Sequence, residues 1–177
     1  YGNESPFAKP TDEYILQTYL NKCDYDGAQK ALESGELAAL EDSKGKVIGG
    51  LMFERANRLF KAGKFAEAAL EYEKVVNNNP NYENIHLALY NAGIAYENIK
   101  RYESAMRLYN RIYTEYNKTE EAMDALYRVA FNGERFFDFD TAVNKYLELH
   151  DSKREHPQKS AALKRAAIIL KYNEEYD

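Results

Sequence analysis

Apolar residues in the middle of the chain recur with helical spacing. Met52, Ala56 and Leu59 stand at i, i+4 and i+7, as do Ala68, Tyr72 and Val75, so each segment carries one apolar stripe on a helix. Gly63 between the two segments ends the first without a Cβ penalty, and Pro80 follows the second, which it could not have continued. The pair then returns with a shift of 37 residues. Ala68, Ala105 and Ala142 fall in one column; Tyr72, Tyr109 and Tyr146 in another; Val75, Ile112 and Leu149 in a third; and Phe65, Tyr102, Phe139 and Tyr176 in a fourth. The first helices keep the same register, with Met52, Leu89, Leu126 and Leu163 aligned, and Ala56, Gly93, Ala130 and Ala167. Small residues in two columns predict helices that approach closely, with the aromatic at each turn packed between them. Thr119, ahead of Glu120 and Glu121, is an expected N-cap.

The repeat divides residues 49–177 into units of about 49–85, 86–122 and 123–159 and a partial unit 160–177. Before residue 49 the pattern blurs. Residues 12–22 and 25–32 predict two short helices, and CDYDGAQKAL faintly echoes KFAEAALEY. Residues 1–48 are therefore expected to form a degenerate unit that caps the stack, with residues 35–50 as a loop or hinge. Tyr176 occupies a turn column and the chain begins with Tyr1, so the natural protein is expected to be longer.

The column pattern (large apolar, small, aromatic at the turn, alanine, aromatic, proline) resembles the tetratricopeptide repeat. That resemblance implies an all-α, right-handed superhelical solenoid of antiparallel helix pairs with a concave face that binds proteins. The usual unit is about 34 residues; the extra length here is nearly one helical turn, so the first helix lengthens without rotating its stripe off the core. Units of 37 residues, with unit ends such as NNNPNY and YTEYNKTE, are similar to those of bacterial envelope proteins, the Tol–Pal coordinator and outer-membrane assembly lipoproteins among them. This implies a periplasmic, outer-membrane-associated position, with the cytoplasm as the alternative.

Composition narrows the function. The chain has 177 residues and a net charge of −5, from 24 basic and 29 acidic residues mixed along its length. Clustered basic charge for nucleic acid is missing. No apolar run approaches the roughly 20 residues that span a bilayer. Cys23 is the only cysteine, which leaves no disulfide framework and no thiolate cage. His150 and His156, six residues apart beside acids, are expected to be solvated histidines around an inter-unit loop rather than metal ligands, and no cofactor is expected. Neither a nucleophile elbow nor a phosphate-cradling glycine loop nor HExxH occurs, so no catalytic residue is expected.

The candidate site is the concave face. If first helices line it, the positions one step round from the core stripe are Phe53, Tyr90, Tyr127 and Lys164, then one turn on Asn57, Ile94, Phe131 and Ile168. Beyond them come Phe60 and Lys61, Glu97 and Asn98, Glu134 and Arg135, and Lys171 and Tyr172. An aromatic row rimmed by charges and amides suits a peptide or amphipathic helix. Relatives that hold a C-terminal carboxylate use five side chains, whose places here are Phe53, Asn57, Asn91, Asp124 and Arg128. Both lysines of that clamp are lost, and Asp124 would repel the ligand. The expected function is thus a non-catalytic scaffold for a partner polypeptide within an envelope assembly. The alternative is a structural segment that self-associates, possible as a homo-oligomer, with its groove filled by its own chain.

Overall fold

The computed structural model describes residues 11–80 and 82–176, except the side chains of residues 41, 42 and 174–176. Among them are nine α-helices: α1 (Asp12–Lys22), α2 (Tyr25–Ser34), α3 (Lys44–Lys61), α4 (Phe65–Asn78), α5 (Ile85–Asn98), α6 (Tyr102–Glu115), α7 (Glu121–Phe136), α8 (Phe139–Asp151) and α9 (Lys159–Tyr176). From α3 onward each helix packs on the next, giving an all-α solenoid of helix pairs. The second helices α4, α6 and α8 start at Phe65, Tyr102 and Phe139, so the 37-residue recurrence in sequence is a recurrence in space. Ala68, Ala105 and Ala142 are fully buried, and so are Tyr109, Tyr146 and all but a sliver of Tyr72.

The turns that join the pairs share one geometry. Gly63 adopts φ 75°, with Lys64 N–H donating to the Leu59 carbonyl at 2.9 Å, an αL cap. In the same column Lys100 and Phe137 adopt φ 60° and 64°, which no Cβ favours. Phe137 is 80% exposed there.

Three expectations need correction. The segment read as a hinge over residues 35–50 is largely ordered: a 3-10 turn spans Ala38–Ser43 and α3 starts at Lys44. Gly49 is a packing residue within that helix, since a Cβ there would come within 2.9 Å of the Tyr82 ring. Thr119 does not cap α7; its hydroxyl donates to the Tyr116 carbonyl at 2.9 Å and closes the preceding turn. Leu163 and Ala167, aligned with the buried Leu126 and Ala130, are exposed.

The N-terminal helices form their own small core. Ala28, Ala31, Leu32 and Leu37 bury against Leu51 at the start of the repeat region, with Val47 and Ile48 alongside. Arg55 on α3 reaches back to Asp26 on α2 at 2.6 Å. Residues 1–10 of the expected cap, and the Tyr176 side chain in its turn column, lie outside the described residues.

Candidate functional site

The first helices α3, α5, α7 and α9 carry every predicted groove residue, and α5 meets α7 directly across the helix between them. The aromatic column is engaged from behind by the tyrosine column of the second helices. Phe53 lies against Tyr72 with ring centroids 5.6 Å apart, Tyr90 against Tyr109 at 5.7 Å, and Tyr127 against Tyr146 at 5.9 Å. Two of the three tyrosine hydroxyls meet acceptors on the first helices, while that of Tyr109 is buried without a hydrogen-bond partner. Tyr72 donates to Asn57 Oδ1 at 2.6 Å and Tyr146 to Glu134 Oε2 at 3.0 Å. Burial, above all, pushes the Tyr72 phenol up to about 12 and raises those of Tyr109 and Tyr146 further. These hydroxyls are donors at any ordinary pH.

Between units the face is stitched by arginines. Arg128 donates from Nη1 to Glu97 Oε2 at 2.8 Å and from Nε to Asp124 Oδ2 at 2.7 Å and to the Tyr90 hydroxyl at 3.0 Å. Tyr90 in turn donates to Asp124, and Asn132 donates to Glu97 Oε1 at 2.6 Å. One repeat later Arg165 reaches Glu134 at 3.0 and 2.8 Å, the same pair of columns. Burial alone would pull the Arg128 guanidinium down, but the Asp124 and Glu97 carboxylates hold it firmly protonated. Phe131 is flanked by cations, with the Arg135 and Arg165 guanidinium carbons 5.3 and 5.4 Å from its ring centroid.

The predicted site residues thus divide into three groups. Asn57, Tyr90, Glu97, Arg128 and Glu134 are committed to hydrogen bonds between side chains; Phe53, Phe60, Asn91, Ile94, Tyr127 and Phe131 are half-buried; and Lys61, Asn98, Arg135, Lys164, Ile168 and Lys171 are exposed, with Asn98 donating to the Ile94 carbonyl at 2.9 Å. A wide depression of about 320 Å³ opens between Glu97, Asn98, Lys100 and Arg135. Arg128 is neutralised by its own carboxylates, which leaves a terminal carboxylate no free cation at that place.

One residue of this face, Asn132, is not among the groove positions that the spacing predicts, and a second, His156, packs otherwise than expected. Asn132 is fully buried on α7, and His156 lies over Asp124 with its Nε2 3.8 Å from Oδ1. His156 is not the solvated residue expected: its side chain is 9% exposed, and its ring lies 6.0 Å from that of Tyr127. His150 is also half-buried, with Nδ1 enclosed. Among the described residues no three His, Cys, Asp or Glu side chains gather as a metal site.

Helix pairs with this recurrence define the class: a tetratricopeptide-like all-α solenoid. A solved structure similar in fold is the TPR domain of P58(IPK), with a TM-score of 0.55 and 16% identity over 94% of this chain. The chain spans about half (48%) of that domain's length. No protein-family model matches the sequence, and no curated protein matches it.

Proposed function

We propose that the chain is a non-catalytic interaction scaffold that holds a partner polypeptide along the concave face of α3, α5, α7 and α9. One observation carries the reading. Ile94, Tyr127, Phe131 and Ile168 keep apolar surface toward solvent on a face whose charged groups Arg128, Asp124, Glu97, Arg165 and Glu134 are paired with one another. Such a face is pre-organised, so a partner that covers it orders few side chains on arrival. The same pairing argues against catalysis, because Asp124, Glu97 and Glu134 are each held by an arginine rather than poised for proton transfer. The described N-terminal helices pack on α3 and on each other, which favours an outside occupant over the chain's own cap.

The test is selection of 15-residue peptides from a display library against the full chain, with Ile168→Asp and Tyr127→Ala as comparisons. Selected peptides should bind both variants at least about tenfold more weakly while helicity is kept. Equal binding by the variants, or no enrichment at all, would sink the groove assignment.

The residues 1–48 act in this proposal as the capping unit of the stack. The compartment, periplasmic and outer-membrane-associated within a bacterial envelope assembly, rests on repeat length. Fractionation of the producing cells tests it, and recovery in the cytoplasmic fraction would end it.

A further inference from the structure

The concave face pairs its carboxylates and leaves some of its cations unpaired. Glu97 is held by Arg128 and Asn132, Asp124 by Arg128 and Tyr90, and Glu134 by Arg165 and Tyr146. Lys61, Lys100 and Arg135 are exposed, and none of them has an ion-pair partner among the described residues. Lys61 stands in the column of Arg135 two repeats earlier, where the exposed Glu54, bonded only to the Asn57 amide at 3.2 Å, offsets its charge. Lys100 and Arg135 have no such offset.

These two cations meet at one place. The depression of about 320 Å³ between the ends of α5 and α7 is lined by Glu97, Asn98, Lys100 and Arg135. Since Glu97 is neutralised from behind, the charge presented there is positive. The turn after α5 fixes Lys100, whose φ is 60° and whose N–H donates to the Glu97 carbonyl at 3.0 Å. Arg135 lies over the Tyr102 ring at 4.6 Å and the Phe131 ring at 5.3 Å, contacts that orient a guanidinium without consuming its N–H donors. Asp138, three residues on, is committed to capping α8 and accepts from the Thr141 N–H at 3.1 Å. Apolar surface adjoins the depression. Ile94 stands four residues before Asn98 and Phe131 four before Arg135, a rise of about 6 Å along each helix.

We infer, resting on the groove assignment above, that this depression is the subsite for a side-chain carboxylate of the partner, and that the polypeptide held in the groove is acidic. Arg135 offers the planar fork that a carboxylate matches, and Lys100 adds a second charge. Ile94 and Phe131 take a large apolar side chain beside it. The distance between the two subsites fits an Asp or Glu two residues from that side chain in an extended segment, or four in a helix.

The test is a display selection against the full chain and against Lys100→Glu combined with Arg135→Glu. The 15-residue peptides sit within a carrier loop, so that no terminal carboxylate is free. Peptides taken by the unaltered chain should carry Asp or Glu at that spacing, and those taken by the double variant Lys or Arg in its place. Selected acidic peptides, resynthesised with Gln for Glu and Asn for Asp, should lose about three- to tenfold in affinity. The same replacement should cost nothing toward Lys100→Gln combined with Arg135→Gln. Raising NaCl from about 0.05 to about 0.5 M should weaken the acidic peptides and spare their amide forms. Both altered positions are exposed, so the melting temperature should hold. If the variants unfold, the peptide replacements and the salt series still decide the matter on the unaltered chain. Selected peptides without acidic residues, or indifferent to the amide replacements, would overturn the inference; if Ile168→Asp still weakened them, the groove itself would stand. Acidic peptides held equally by the doubly neutral chain would place their carboxylate elsewhere and overturn it too. No enrichment at all would remove the groove and the subsite together.

Discussion

Gly93 occupies the column of Ala56 and Ala130, where an alanine is tolerated, yet the Tyr109 ring leaves it no room: an added Cβ would sit 2.6 Å from Cε1 and Cζ. Alanine in mid-helix gains about 1 kcal/mol over glycine. Overpacking a buried site costs about 1–3 kcal/mol, and Tyr109 is fully buried with nowhere to swing. Gly93→Ala should therefore destabilise by about 1 kcal/mol in urea titrations, and a gain would show that the ring yields. His156 gives the second residue-scale prediction. Burial pulls its imidazole below the ordinary 6.5, Asp124 opposes and Lys159 adds to the fall, while Gln158 N–H donates to Nδ1 at 3.3 Å and so favours the neutral ring. A folded value below the unfolded one means that protonation weakens the fold, so this stability is present above pH 6.5 and is lost as pH falls through the folded value. The melting temperature should drop between pH 7 and 5.5, and less steeply in His156→Gln. Parallel curves would remove His156 from the acid response.

At the scale of elements, the two arginine stitches occupy identical columns but differ in burial. Arg128 and Glu97 are 28% and 13% exposed, Arg165 and Glu134 are 39% and 32%. Arg128→Ala leaves two carboxylates of α5 and α7 facing each other partly out of water, and should cost about 2–3 kcal/mol. Arg165→Ala, nearer the solvent, should cost at most about 1 kcal/mol. Equal losses in chemical denaturation would mean that burial does not set the strength of these links. The helix pairs themselves were legible in sequence because each core column is a packing requirement repeated by the chain. The stitches were not. Glu97 and Arg128 are 31 residues apart, and nothing in the spacing says that residues read as a ligand-facing rim would turn toward each other. The same limit hid the start of α3, where Gly45, Gly49 and Gly50 resemble a hinge until Tyr82 is seen against Gly49. It also hid the exposure of Leu163, because a column reports what a residue packs on only where the opposing helix is present.

For the whole molecule, stability follows from stacking neighbours, since each helix from α3 onward packs chiefly on the one before and the one after. The ends then have fewer partners than the middle. Helix α1 buries no residue fully and α2 buries Ala28, Ala31 and Leu32, whereas α5 buries Ile85, Ala88, Leu89, Ala92, Gly93, Ala95 and Tyr96, and α7 buries eight residues. The N-terminal core is a cluster of its own, joined to the repeats by Leu51, Val47 and Ile48 and by the exposed Arg55–Asp26 pair. Exposed pairs add little, so this joint is the weakest along the stack. Local opening should accordingly run inward from the ends. In native-state hydrogen exchange, amides of α1 and α2 should exchange first and those of α5 to α7 last, with α9 between them because only one of its flanks is packed. Uniform protection from α1 to α9 would instead mean that the stack opens as one unit, and the N-terminal joint would have to be stronger than its contacts imply.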